Sequence, residues 1–185
     1  MTPGASGSPL AASPRQPASG PQLSLHMSRD KAIVASRVDM DQAMESADVH
    51  PDTGPGIYDA LLPILAQWKQ AYNFVGSYYI DIGNNNGQGQ TTDWAYSKVY
   101  YDQMLAMGNE IGSHSYTHPE NTNLLTAAQF QFEFQQSRQV IEQQLGLTNI
   151  GVAVPGAPET IDTTRLIAQY YPSYISGGAS LVGAG

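Results

Sequence analysis

The sequence predicts an α/β fold with a parallel sheet, built as an incomplete β/α barrel of about five βα units. Three observations predict it. Short apolar runs of strand type alternate with helix-length amphipathic segments from residue 30 onwards, and that alternation makes parallel strands. Residues with chemical potential fall where the apolar runs end, as they do on the rim of a β/α barrel. Five such runs are visible, too few to close an eight-stranded barrel. Either the sheet stays open, or the C-terminal part of the domain is missing and the chain is truncated.

Size and composition set outer bounds. With 185 residues the chain holds one domain, or one domain and a tail. Residues 1–29 are rich in Pro, Ser, Gly and Ala, with Pro3, Pro9, Pro14, Pro17 and Pro21 among them. Such a stretch buries too little apolar surface to offset chain entropy and reads as a disordered tail or linker. Residues 30–185 read as the domain, with its C-terminal part expected to be missing. The net charge is −8, with eight Lys and Arg in all. That excludes a nucleic-acid binder, which needs clustered cations. There is no cysteine, so disulfides, thiolate-bound zinc and thiol catalysis are excluded. A cysteine-free chain suits an oxidising compartment, and a periplasmic or extracellular location is expected. No apolar run is long enough for a membrane span, and no basic start precedes an apolar core as in a signal peptide.

The elements follow in order. Ala32-Ile33-Val34-Ala35 opens a strand that continues through Val38 into Asp39-Met40-Asp41. Extended geometry puts Asp39 and Asp41 on one side. Two acids ending a buried strand are costly unless they hold a metal or make strong hydrogen bonds; the plain alternative is one capping acid and one solvated acid. A turn-rich loop follows, with His50-Pro51-Asp52-Thr53-Gly54-Pro55, where His50 reads as an exposed loop histidine. Ile57 to Tyr72 is a helix with Leu61, Leu62, Ile64, Leu65 and Trp68 as its apolar stripe. Phe74 to Ile82 is a second strand that places Asp81, a candidate ligand or substrate contact, near its end.

Trp94 to Met107 is a second helix, with Tyr96, Val99, Tyr100, Met104 and Leu105 inward; Trp94 is a buried anchor or a sugar-stacking platform. Asn109 to Ser113 is a third strand, running into His114. Leu124 to Leu145 is a long helix with Phe130, Phe134, Val140, Ile141 and Leu145 inward and Gly146 as its stop. Ile150 to Val154 is a fourth strand, followed by the turn Pro155-Gly156-Ala157. Thr163 to Tyr170 is a short helix, and Tyr174 to Ser176 opens a fifth strand.

Gly112-Ser113-His114-Ser115-Tyr116-Thr117-His118-Pro119 holds two of the four histidines. Neutral imidazole is the commonest protein ligand for zinc-like ions, and a gap of three residues lets one turn aim both rings at one point. Two imidazoles and a carboxylate leave open positions on a divalent ion, and a second carboxylate is then available as a base. The turn at Gly156 is either a backbone N–H donor to an oxyanion or a plain strand-to-helix joint.

The acid pair Asp39-Met40-Asp41 together with His114-Ser115-Tyr116-Thr117-His118-Pro119 resembles the polysaccharide deacetylase family, the NodB-homology group of carbohydrate esterase family 4. The spacing of the acids is similar to that in Pel exopolysaccharide-modifying deacetylase domains and their fungal galactosaminogalactan relatives. The resemblance implies a distorted β/α barrel and metal-dependent hydrolysis of N-acetyl groups on an amino-sugar polysaccharide. It makes Asp39 the general base and Asp41, His114 and His118 the ligands of a divalent metal, zinc foremost, although the two aspartates can exchange roles. The implied partner is an N-acetylated hexosamine polysaccharide. Two departures stand out. The family's base-orienting Arg is absent from Ala153-Val154-Pro155-Gly156, where Arg37 is the stand-in on the strand of Asp39. The family's late histidine, which protonates the leaving amine, is not matched in sequence position, and His50 is the one histidine available to replace it, His26 lying in the tail. A non-catalytic carbohydrate-binding or scaffolding remnant of such an enzyme is therefore the alternative.

Overall fold

Among the described residues five strands pair in the order in which they occur, and every pairing is parallel. The computed structural model describes residues 36–40, 54–83, 92–171 and 175–176. The strands are β1 (Arg37–Asp39), β2 (Ser77–Ile80), β3 (Glu110–Ser113), β4 (Val152–Ala153) and β5 (Ile175–Ser176). The intervening helices are α1 (Ile57–Tyr72) and α2 (Trp94–Ala106), then a 3₁₀ turn (Thr122–Leu124) leading into α3 (Ala127–Phe130). A π-helical segment (Gln131–Gln136), α4 (Ser137–Leu145) and α5 (Ile161–Ile167) complete them. Strand order in a doubly wound sheet reverses at a switch point. Here it never reverses, so right-handed crossovers carry every helix to the same face and the sheet curls into part of a β/α barrel.

The register sorts side chains into two faces. Arg37, Ser77 and Glu110 form one row across the sheet, and Asp39, Tyr79 and Gly112 form the next. These rows share one face, because side chains alternate along a strand. The opposite face carries Val38, Tyr78 and Ile111, then Ile80, Ser113 and Val152. That face meets the helices. Ile80 and Val152 are fully buried there, in a core with Tyr58, Tyr101, Met104, Phe134, Ile141 and Ile167. The concave face is thus polar and the convex face apolar, as in a barrel whose chemistry lies inside its rim.

Local chemistry sets the helix ends. Asp59, in the first turn of α1, reaches back to the Gly56 N–H (2.9 Å). Asn73 ends α1 in the left-handed conformation (φ 51°), as Gly146 does for α4 (φ 65°). Asp93 caps α2 by accepting from the Ala95 N–H.

Two expectations are corrected here. The inward face of α2 is Ser97, Tyr101 and Met104, whereas Tyr96 and Val99 are exposed. The face is set by the buried hydroxyl pair of Tyr58 and Tyr101 (2.7 Å), which draws Tyr101 inward rather than its neighbour Tyr100. The long helix is also not uniform, since the π-helical segment interrupts it. Trp94 is half-buried and packs edge-on against Tyr101, the anchor of the two readings. The tail at residues 1–29 and the start of the first strand at Ala32–Ala35 lie outside the described residues. Among the described residues no helix is long and apolar enough to cross a membrane.

Candidate active site

The site gathers at the C-terminal ends of β1, β3 and β4. On β1, Arg37 and Asp39 are two residues apart and share the concave face. The guanidinium grips the carboxylate with both prongs, Nε to Oδ1 and Nη2 to Oδ2, each at 2.8 Å. A bidentate pair fixes the plane of the carboxylate as well as its position. Arg37 Nη2 also donates to the Val154 carbonyl (3.3 Å). The hydrogen-bonded Asp39 carboxylate holds the Arg37 pKa above its ordinary value, outweighing the burial that opposes the charge.

β3 delivers His114, which is buried. Its Nδ1 lies 2.8 Å from the Ala153 carbonyl. A carbonyl can only accept, so Nδ1 carries a proton and, in the neutral ring, the lone pair is on Nε2. Nε2 faces Asp39, 3.9 Å from its Oδ2. Two successive carbonyls of the β4 end, at Ala153 and Val154, therefore aim the histidine and the arginine that flank Asp39.

His118 stands beside His114, with ring centroids 5.1 Å apart at 61°. The chain bends sharply between them. Ser115 has φ 95° and His118 has φ 54°, both in the region that favours glycine. Such backbone costs about 1–3 kcal/mol per residue and persists only where its surroundings over-determine it. Ser115 Oγ accepts the His118 N–H (2.9 Å) and donates to Asp81 Oδ1 (3.3 Å). The buried Glu133 carboxylate accepts the N–H groups of Tyr116 (3.0 Å) and Thr117 (2.8 Å) on one oxygen and the Thr117 hydroxyl on the other. Hydrogen bonds to a charged group contribute about 1.5–3 kcal/mol each, enough to offset the two strained residues.

The Pro155-Gly156 turn is fastened to the exit of this loop. Ala157 N–H donates to the Glu120 carbonyl (2.8 Å). Gly156 has φ 73°, and a side chain there would collide with the Glu120 carbonyl and with the Pro119 oxygen (2.7 Å). Its glycine is explained by two loops in close approach. The Ala157 N–H is thereby engaged inside the protein and is not among the donors the turn offers an oxyanion.

Of the residues expected in the site, Asp39, His114 and His118 come together at one rim. Asp41 lies outside the described residues, as does the loop histidine His50. Among the described residues no three His, Asp or Glu side chains cluster closely enough to hold a metal ion. Two imidazoles, one with its lone pair fixed by a backbone carbonyl, are nevertheless a donor set suited to a divalent ion. Sequence reasoning missed Glu133 and the Ala153 and Val154 carbonyls. Backbone carbonyls leave no trace in a sequence, and Glu133 sits in a Gln-rich helix that reads as solvated.

A parallel, in-order sheet with an acid on the first strand and a histidine pair following the third is the arrangement of a β/α-barrel rim. The profile of the family described as "Polysaccharide deacetylase" matches residues 48–172, and the chain belongs to that family. The match contains His114 and His118 and starts after Asp39 and Asp41. No curated protein matches the chain.

Solved structures with the same fold include the Streptococcus pyogenes deacetylase PplD in complex with acetate, at 17% identity and TM-score 0.51, over 72% of this chain and 50% of that one. The chitin deacetylase of Colletotrichum lindemuthianum aligns at 17% identity and TM-score 0.52, over 77% of this chain and 53% of that one. A CE4-family pseudoenzyme of Bacillus anthracis aligns at 16% identity and TM-score 0.55, over 80% of this chain and 43% of that one. The chain thus spans about half the length of these structures.

Proposed function

We propose that the protein removes N-acetyl groups from an amino-sugar polysaccharide, with Asp39 as general base and with Asp41, His114 and His118 holding a divalent metal, zinc foremost. The observation that carries the reading is the Asp39 carboxylate, gripped by Arg37 and set 3.9 Å from His114 Nε2 beside His118. A divalent ion held there would acidify a bound water and polarise an acetamide carbonyl. Asp39 would take the water's proton, and Arg37 would keep the accepting oxygen aimed while that happens. The Ala153 carbonyl would keep His114 in its ligating tautomer throughout. The amino-sugar exopolysaccharides modified by Pel-type enzymes are the favoured substrate class, and such polymers place the protein in the periplasm or outside the cell.

The reading is tested by acetate release from N-acetylated hexosamine oligomers by the zinc-loaded chain. Release is expected, chelator should abolish it, and Asp39→Asn should lower it by about a hundredfold or more. A second reading is a non-catalytic sugar-binding module, favoured by the pseudoenzyme among the proteins of the same fold. Oligomer binding without release, unchanged in Asp39→Asn, would select it. Neither binding nor release would remove both readings.

A further inference from the structure

We infer that Glu133 is a positioning residue for the histidine pair: its carboxylate, delivered by the π-helical segment, holds the 114–118 loop in the strained form that stands His118 beside His114. The inference rests on the metal reading in its metal-binding consequence, and on geometry alone in its effect on the loop.

Several observations converge on it. Glu133 is 5% exposed, and a buried carboxylate is costly unless donors surround it. Its donors are two successive backbone N–H groups and one hydroxyl, from Tyr116 and Thr117. Both residues lie between His114 and His118 in the chain, so the carboxylate grips the apex of the connection. Two N–H groups converging on one oxygen form a small anion nest. The residues flanking that apex, Ser115 and His118, are the two of the 114–118 loop with φ in the left-handed range. Without the grip, both are expected to relax towards ordinary backbone, and His118 would swing while His114 stays on the Ala153 carbonyl.

The helix is shaped for this task. Glu133 and Phe134 are adjacent and both buried, within the six-residue π-helical segment. A π turn is wider than an α turn, so it can send neighbouring side chains inward together. Ser137 pins the segment by donating to the Glu133 carbonyl (2.6 Å) and lies 3.0 Å from Ser113 Oγ on β3. The carboxylate is thus tied to the strand that carries His114.

The test uses the full chain with Glu133→Ala, Glu133→Gln and, as a stability control buried on α5, Ile167→Ala. Without metal, amide exchange and histidine ring signals are read by NMR, and Co²⁺ is then titrated in. In Glu133→Ala the Tyr116 and Thr117 amides should lose protection relative to β2 and β3, and the His118 signal should shift or split while His114 is unchanged. Co²⁺ affinity should fall about tenfold or more, with an altered absorption spectrum, as when partners behind a metal ligand are removed. Glu133→Gln keeps an acceptor for the N–H pair and should stay within about threefold of the parent. Ile167→Ala should lower the melting temperature and leave loop and affinity alone.

Parent-like amide protection and a single parent-like His118 signal in Glu133→Ala would overturn the inference. So would loop loss of the same size in Ile167→Ala. If the parent itself binds no Co²⁺, the metal reading fails and the metal-free signals still decide the role of Glu133. If Glu133→Ala does not fold, Glu133→Asp keeps the charge but shortens the reach by one methylene, and the Ala outcomes are expected of it.

Discussion

At the scale of single residues, backbone geometry is the stricter constraint on this site. Gly156 and Gly146 make the point by contrast. Both have positive φ, 73° and 65°, so any side chain is strained at either place. Nothing lies within 4 Å of the position a Gly146 side chain would take, whereas at Gly156 it would strike the backbone of Pro119 and Glu120. Gly146→Ala should therefore cost about 1 kcal/mol, from conformation alone. Gly156→Ala should cost about 2 kcal/mol or more, because backbone on the histidine side must also move. Urea denaturation of the two variants measures the difference. Equal costs would mean that the turn and the histidine loop are not in the contact described.

At the scale of elements, Ser137 is the joint between β3, the π-helical segment and the chain after α5. Its hydroxyl donates to the Glu133 carbonyl, lies 3.0 Å from Ser113 Oγ and lies 3.1 Å from the Tyr171 hydroxyl. Ser137→Ala leaves those buried partners short of a bond. A loss of about 1–3 kcal/mol is expected in urea denaturation, more than deletion of one exposed hydroxyl would give. Element order was legible in the sequence, because apolar runs and turn residues alternate without ambiguity from Ile57 onward. The histidine pair was legible because its spacing is local, and Arg37 was legible as a partner of Asp39 because strand alternation puts them on one face. The π-helical segment was not legible. Gln131-Phe132-Glu133-Phe134-Gln135-Gln136 has ordinary helix propensity, and what it bonds to lies on other elements. The choice of Tyr101 over Tyr100 for the core was hidden for the same reason, since its deciding partner, Tyr58, is on another helix.

At the scale of the whole molecule, buried phenols set an alkaline limit. Tyr58, Tyr101 and Tyr171 are buried, and burial raises the pKa of each. Tyr171 is pushed up to about 12. The unfolded chain ionises its tyrosines near pH ~10, while the folded chain keeps these protons. The contribution of Tyr171 is complete below about pH 10 and is lost as the pH rises towards about 12, and Tyr58 and Tyr101 act in the same direction. The melting temperature should be insensitive to these groups up to about pH 9 and fall above it. Phenolate absorbance should rise in two stages, exposed tyrosines first and the buried set together with unfolding. A single smooth rise with the fold intact would contradict the burial. The left-handed backbone at His118 has a consequence on another timescale. Histidine tolerates that conformation better than most residues, as do Asn and Asp, while β-branched residues do not. A descendant in which residue 118 no longer served a site would not drift freely there. Asn, Asp or Gly would be the replacements open to it, so the shape of the chain would outlast the chemistry it serves.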